Sequence, residues 1–194
     1  MRLFLAAALP VAVRAALSAA LPLLEPRGSG WRWTRPAGIH LTLRFLGEVD
    51  EAREWAARAT WRRIAAANEP CVVRLAELGC FPLRGAPHVL WVGLDEREPG
   101  APRLSRLASE LELAARELGW PAESRAFRAH LTLARAARGR RPRLAPGVDW
   151  PCGAAGVVDR VVLFQSHLDP GGARYTALDS FPLGPEASDR REPA

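Results

Sequence analysis

The sequence predicts an α+β fold of two pseudo-symmetric lobes, each a mainly antiparallel sheet flanked by helices, with a central cleft between them. Two observations predict it. Segments that alternate like strands are interleaved with segments whose apolar residues recur at helical spacing. In addition, the tetrapeptide HLTL occurs at residues 40–43 and again at 130–133, both times inside a predicted strand. Two copies are too few for a solenoid, so they indicate a duplicated lobe related by a pseudo-two-fold axis.

The N-terminal half predicts alternating strands and helices. An apolar run of strand length comes first, and Pro10 then begins a helix because proline favours the first helical position. The Pro-, Gly- and Trp-rich residues 22–36 are predicted to form a loop. In the next strand successive residues alternate between two faces, and Gly47 is expected to end that strand. The elements predicted in this half are strand 3–9, helix 10–21, strand 38–46 and helix 51–67.

The C-terminal half predicts more strands than helices. Two strands flank a turn rich in Pro and Gly, and a helix with a leucine stripe follows until Gly119 stops it. The last two strands are joined as a hairpin by residues 170–172. We expect residues 1–184 to form a single bilobal domain and the polar residues 185–194 to be a disordered tail. The elements predicted here are strands 72–78, 89–94, 127–134, 157–168 and 175–183, and helix 102–118.

The composition is that of a globular protein from a reducing compartment. A chain of 194 residues with 48% hydrophobic residues can bury one substantial core. Its three cysteines are odd in number and lack CxxC spacing, which disfavours a disulfide framework. Pro10 and Arg14 interrupt the N-terminal apolar run, so that run does not resemble a secretory signal. We therefore expect a cytoplasmic protein that contacts no membrane and acts as a monomer.

All 27 basic residues are arginine, and lysine is absent. This absence excludes three function classes that need an amine: a Walker P-loop, a Schiff-base enzyme and a ligase that adenylates its own lysine. The net charge of +6 is compatible with RNA as a partner. Net charge alone does not establish that partner, because arginine-rich sequences also arise from genomic base composition.

The two HLTL motifs predict a preorganised site. Residues i and i+2 of a strand share a face, so His40 and Thr42 point the same way while the leucines beside them are buried. His130 and Thr132 repeat the arrangement. If the lobes face each other, two imidazoles and two hydroxyls meet in one cleft on rigid strands.

This set of groups suits displacement at a cyclic phosphate. An attacking water must lose a proton while the departing ribose oxygen gains one, so a base and an acid are needed on opposite sides of phosphorus. Imidazole titrates near pH 6.5, so two histidines can supply both forms at once. Threonine hydroxyls and a nearby arginine would stabilise the charge of the transition state. The expected mechanism needs neither a metal ion nor another cofactor.

The paired HxTx motifs resemble those of the two-histidine (2H) phosphoesterases, specifically the bacterial and archaeal RNA 2′,3′-cyclic phosphodiesterases that are also called 2′-5′ RNA ligases. The resemblance implies hydrolysis of RNA ends with 2′,3′-cyclic phosphates, or of small cyclic nucleotides, to products with a 2′-phosphate. It also implies a reverse reaction that joins RNA ends through a 2′-5′ bond. Similar segments cover most of the chain: RLFLAAALP, HLTLRFLGEV, LWVGL, FRAHLTLAR, VVLFQSHL and GGARYTALDSFPL.

The resemblance also implies roles for individual residues. His40 would donate a proton to the leaving 3′ oxygen and His130 would activate water, although the chemistry of the residues leaves these two roles interchangeable. Thr42 and Thr132 would bind the phosphate.

Two further residues are implied by the resemblance. Arg135, five residues past the second histidine, would bind the phosphate, and Phe45, at the matching place in the first motif, would contact the base. Strict alternation would point both side chains away from the histidines. A bulge or a strand end is therefore needed to bring them into the site.

Two alternatives remain at this stage. A zinc site needs three or four clustered donors, and neither histidine has a Cys, His or Asp partner at ligand spacing, so no metal site is expected. A noncatalytic RNA-binding module could keep the same cleft without the chemistry. Turnover of a cyclic nucleotide in excess EDTA separates that module from an enzyme.

Overall fold

The computed structural model describes residues 1–96, 103–145, 150–169 and 172–185. The predicted tail lies outside the described residues from residue 186 onward. Across the described ranges, no helix combines the length and apolar character that a membrane span requires. The elements, in chain order, are β1 (Arg2–Ala7), α1 (Val11–Leu24), β2 (Gly28–Ser29), β3 (Trp31–Trp33), β4 (Leu41–Glu48), α2 (Glu51–Ala66), β5 (Cys71–Phe81), β6 (Val89–Asp95), α3 (Arg103–Glu117), β7 (His130–Ala136), β8 (Arg143–Leu144), β9 (Ala155–Val158), β10 (Arg160–Asp169) and β11 (Gly172–Pro182).

Two larger sheets organise the fold, and their strand pairs are antiparallel. The four-stranded sheet has the order β11-β10-β1-β4, and the five-stranded sheet has the order β3-β7-β6-β5-β9. β2 and β8 form a separate small pair. The first HLTL motif thus leads into β4 of one sheet, and the second lies in β7 of the other. The predicted α+β class with mainly antiparallel sheets is confirmed.

The helices cover both sheets. α2 packs on β11 and α3 packs on β4, whereas α1 packs beside β9 of the five-stranded sheet. α3 therefore follows a strand of one sheet in the chain but covers the other sheet. Its buried residues recur at helical spacing, and each fully buried leucine contributes about 1.5–3 kcal/mol. These residues are Leu104, Leu107, Ala108, Leu111, Ala114 and Ala115.

Both motif strands contain a β-bulge at the same distance from their histidine. The pairing of β4 with β1 skips Leu43, and the pairing of β7 with β6 skips Leu133. Each skipped leucine follows its motif histidine by three positions. One extra residue reverses the alternation of side chains beyond it, so later residues of each strand return to the face of the histidine.

The segment predicted as a loop over residues 22–36 contains ordered elements. α1 continues through Pro22 to Leu24 instead of ending near Leu21. Leu24 is only 1% exposed and extends the buried stripe of Leu17 and Leu21. Its burial offsets the hydrogen bond that proline cannot donate. β2 and β3 follow within the same segment and pair with β8 and β7.

Three other predicted boundaries differ from the structure. The strand predicted over residues 157–168 is two strands, because β9 and β10 join different sheets on either side of Asp159. The strand predicted from residue 127 begins only at His130. Gly47 lies inside β4 with a φ of 73°, next to a second irregularity in the pairing with β1, and does not end the strand. Alternation alone does not reveal a change of partner sheet.

Candidate active site

A cleft of about 790 Å³ lies between the motif strands β4 and β7. It is lined from both sheets, by residues of the first motif strand and by residues of the second. His40 is not among its lining residues; its neighbours Gly38 and Tyr175 line a second cavity of about 390 Å³. Arg135 lines both cavities, so the two cavities adjoin at this residue. Of the predicted site residues, the larger cleft is lined by Thr42, Phe45, His130, Thr132 and Arg135.

His40 directly precedes β4 and is held by the turn before it. Its Nδ1 lies 2.9 Å from the carbonyl oxygen of Gly38. A carbonyl oxygen only accepts hydrogen bonds, so Nδ1 carries the proton and Nε2 is left for proton transfer. The ring packs between Phe4 and Tyr175, with centroid distances of 4.6 and 4.7 Å.

His130 is held in the same way at the start of β7. Its Nδ1 lies 2.7 Å from the carbonyl oxygen of Arg128, so Nδ1 again donates and Nε2 is the remaining nitrogen. Phe81 stands edge-on to the ring at a centroid distance of 5.2 Å, and Trp91 lies 6.3 Å away. Each motif histidine is thus fixed by the carbonyl two residues before it and by two aromatic rings.

Burial lowers the pKa of both histidines below the ordinary value. For His40 desolvation is the main cause, the hydrogen bond to Gly38 opposes it, and the charges of Arg135 and His130 lower the pKa further. For His130 desolvation again dominates, the carbonyl of Arg128 opposes it, and the charges of Arg135 and Arg128 lower the pKa further. Because a proton on His130 disfavours a proton on His40, one neutral and one cationic ring is favoured over two cations.

The two threonines offer their hydroxyls to the cleft. Thr42 and Thr132 are both half-buried and line the cavity from opposite sheets. Within the described part of the chain, neither hydroxyl makes a hydrogen bond to another residue. Both hydroxyls are therefore available to donate to an oxyanion, which is the function that the motif predicts for them.

The bulges place Phe45 and Arg135 on the cleft side of their strands. Both residues are exposed and line the larger cleft, although strict alternation from the histidines would turn them away. The extra residues Leu43 and Leu133 account for the difference. The bulge that the sequence required is present in each strand, while the roles of Phe45 and Arg135 stay predictions.

Phe4 of β1 is a site neighbour that sequence reasoning missed. This buried ring contacts His40 and also Phe45, at a centroid distance of 5.8 Å from the latter. In the sequence Phe4 is one apolar residue within an apolar run, so its position gives no indication of a role at the site. The carbonyls of Gly38 and Arg128 were also missed, because backbone groups leave no side-chain pattern to recognise.

Gly79 is another residue that sequence reasoning missed. It makes room for the indole of Trp91 beside His130. Gly79 and Trp91 are paired across β5 and β6. A Cβ atom at Gly79 would lie 2.3 Å from Cζ2 of Trp91, closer than any real contact. Glycine is therefore required for Trp91 to lie across β5 and support the edge of the His130 ring.

The described residues contain no group of three or more His, Cys, Asp or Glu side chains arranged to hold a metal ion. The groups that line the cleft are instead the imidazole of His130, two threonine hydroxyls and the guanidinium of Arg135, while the imidazole of His40 lies beside the adjoining cavity. Together they can transfer protons on two sides of a bound group and bind an anion between them.

Comparisons with known proteins place the chain in a family. A family model described as LigT like Phosphoesterase matches residues 8–91 and 94–175. A curated RNA 2′,3′-cyclic phosphodiesterase of Thermus thermophilus is 38% identical over 195 residues, which cover 94% of this chain and 90% of that protein.

Solved structures show the same similarity. A crystal structure of a Thermus thermophilus protein matches with a TM-score of 0.79 and 35% identity, covering 96% of this chain and 100% of that one. The crystal structure of E. coli LigT complexed with 3′-AMP matches with a TM-score of 0.74 and 30% identity, covering 94% and 97% of the two chains. The resemblance predicted from the paired HxTx motifs is confirmed, and the chain belongs to the LigT-like phosphoesterase family.

Proposed function

We propose that this protein hydrolyses RNA-terminal 2′,3′-cyclic phosphates to 2′-phosphates, with His40 and His130 as general acid and base. The observation that carries the proposal is the matched presentation of the two imidazoles. Each donates from Nδ1 to the carbonyl two residues before it, which leaves Nε2 for proton transfer. The relatives that are named RNA 2′,3′-cyclic phosphodiesterase support the substrate class.

The reaction balances with these two groups alone. The neutral Nε2 of one histidine takes a proton from water as the water oxygen bonds to phosphorus. The bond from phosphorus to O3′ breaks, and the protonated Nε2 of the other histidine gives its proton to O3′. The product keeps a phosphate monoester on O2′, and the two rings return to their starting forms by proton exchange with solvent.

The surroundings of the two rings differ. His130 lines the open cleft, where water reaches it, which suits the general base. His40 is covered by Phe4 and Tyr175, and its burial favours the neutral ring, so its role as the general acid is proposed from the family resemblance alone.

The remaining groups would bind the phosphate and the base. Thr42 and Thr132 would donate to the non-bridging oxygens from the two sheets, and Arg135 would stabilise the added negative charge. Phe45, whose side chain is 49% exposed, would offer its ring to a nucleobase.

The same displacement also joins RNA ends. If a 5′ hydroxyl of a second RNA occupies the place of water, loss of O3′ leaves a 2′-5′ phosphodiester. We include this ligation in the proposal as a second activity of the same groups. In the reverse direction, the same acid and base would cleave a 2′-5′ bond.

The decisive experiment is product analysis after incubation with a nucleoside 2′,3′-cyclic phosphate in excess EDTA. We expect the 2′-phosphate as product, at a rate that EDTA does not change, and formation at least ~10² slower with the His130→Ala variant. A 3′-phosphate product would overturn the proposed regiochemistry. Salt-sensitive RNA binding without any product would instead identify a noncatalytic RNA-binding module.

We further propose that residues 1–184 act as a single bilobal domain, as a monomer, in the cytoplasm. α3 follows a strand of the five-stranded sheet but packs on β4 of the four-stranded sheet. This exchange between the two sheets supports a single domain. Cys71, Cys80 and Cys152 form no disulfide in the described ranges, which supports a reducing compartment.

A further inference from the structure

The second cavity is unusually basic. It has a volume of about 390 Å³ and adjoins the cleft through their shared residue Arg135. Arg32, Arg35 and Arg174 also line it. No Asp or Glu is among the described residues that line it, so four guanidinium groups surround the cavity without a carboxylate in its wall.

Two of these arginines face each other across neighbouring strands. Arg32 of β3 is directly paired with Arg135 of β7. Like charges at directly paired positions destabilise a sheet. Arg32, Arg35 and Arg135 form no ion pair with any carboxylate in the described ranges. An anion bound in the cavity would remove this repulsion.

The pKa of Tyr175 is affected by several of these positive charges. Burial raises the pKa of Tyr175, and the positive charges of Arg135, Arg2 and Arg32 oppose that shift. Guanidinium groups from three separate strands therefore act on one side chain in the wall of the cavity.

Several arginines elsewhere in the described ranges are paired with acids. Arg58 contacts Glu54, and Arg160 contacts Asp159. Further pairs join Arg103 to Glu69 and Arg106 to Glu110. What distinguishes the second cavity is that four arginines meet in one wall that contains no described Asp or Glu.

We propose that the second cavity binds the phosphate on the 5′ oxygen of the terminal nucleotide, so that the preferred substrate is an RNA chain end and not a cyclic mononucleoside. This inference rests on the proposed function. With the cyclic phosphate between the histidines, the next phosphate along RNA is one ribose away. The adjoining cavity, which shares Arg135 with the cleft, offers guanidinium donors suited to that phosphate.

The test compares kcat and KM for three substrates: uridine 2′,3′-cyclic phosphate, its 5′-phosphorylated form, and a dinucleotide that ends in the same cyclic phosphate. We expect the wild-type protein to prefer both substrates with a 5′ phosphate. In Arg35→Gln and Arg32→Gln, KM for these two substrates should rise roughly tenfold or more, as for loss of a hydrogen bond to a charged group. Turnover of uridine 2′,3′-cyclic phosphate should stay within about twofold of wild type, because the altered arginines contact neither histidine.

Arg63→Gln is the matched control, since it removes the same charge from an exposed position on α2. Three outcomes would overturn the inference: equal loss with all three substrates, no change in KM, or the same change in the control. A response to the dinucleotide but not to the 5′-phosphorylated monomer would also overturn it, because the phosphate would then not be the bound group. Absence of turnover with every substrate would overturn the proposed function as well, whereas turnover without a preference would overturn this inference alone.

Discussion

The guanidinium of Arg44 lies beside the carboxylate of Glu112, with Nε 2.5 Å from Oε2. Arg44 belongs to β4 and is 6% exposed, while Glu112 belongs to α3. The same guanidinium donates to the carbonyl oxygens of Phe45 and Pro121. The strand that carries the first motif is therefore attached by a buried polar group to the helix that covers it.

Replacing Glu112 with Gln is expected to lower the free energy of unfolding by about 1–3 kcal/mol, the cost of leaving a buried polar group without its partner. The change removes the nearer carboxylate of the buried guanidinium and leaves the more distant one of Glu123, 3.8 Å from Nη1. Chemical denaturation would measure the effect. Glu117→Gln, on the exposed face of the same helix, should have an effect below about 0.5 kcal/mol. Equal effects of the two substitutions would show that the ion pair does not stabilise the fold.

Replacing either motif histidine with Ala is expected to lower kcat by at least ~10², because general acid or base catalysis is lost. Folding should be retained, since within the described residues the hydrogen bond of each ring goes to a carbonyl two positions before it. Steady-state kinetics with a cyclic nucleotide and circular dichroism would measure both properties. Arg63→Gln, at an exposed position on α2, is the control. Full turnover by His40→Ala and by His130→Ala would refute the assignment.

Thr132→Val is expected to lower kcat/KM by roughly 10- to 100-fold, because a hydroxyl that would donate to the phosphate is replaced by a methyl group of similar size. Thr132→Ser should keep most of the activity, since it retains the hydroxyl. Thr42→Val and Thr42→Ser should behave in the same way if the two motifs act symmetrically. The serine and valine variants would have equal activity if the threonines only fill space, and kinetics would reveal this.

Folding stability is expected to fall as the pH is lowered from about 6.5, the pKa of histidine in the unfolded chain. Both motif histidines have a lower pKa in the folded protein, so below that pH the unfolded chain binds more protons. The stability that depends on keeping these two histidines neutral is fully present above about pH 6.5. It is lost as the pH falls towards their folded pKa values. Melting temperatures at pH 7.5 and 5.5 would measure the loss. A double variant with Gln at both positions should lose less over this interval, and an unchanged loss would contradict the prediction.

The sequence predicted the position of side chains where a short motif determines the local geometry. HLTL encodes a strand with two polar residues on one face, and this pattern placed Thr42 and Thr132 in the cleft. It also showed that Phe45 and Arg135 needed a bulge. It did not locate the bulges, because an extra leucine in an apolar strand has the composition of an ordinary strand residue.

The features that sequence reasoning missed depend on contacts between distant segments. Phe4 lies beside His40 only because β1 pairs with β4, and Arg32 faces Arg135 only because β3 pairs with β7. Local composition predicted a loop over residues 22–36, although Trp31 and its neighbours belong to a sheet. Pairing partners of this kind follow from tertiary structure and have no local pattern.

Asp159 is the single residue between β9, in the five-stranded sheet, and β10, in the four-stranded sheet. A link of one residue restricts hinge motion between the two sheets. α3 connects them again, because it follows β6 of the five-stranded sheet and packs on β4 of the four-stranded sheet. We expect the distance between the two histidines to stay constant during the reaction, so that no domain closure precedes the chemical step. A rigid cleft would select nucleotides by their size and shape. Product release would then require no opening of the protein.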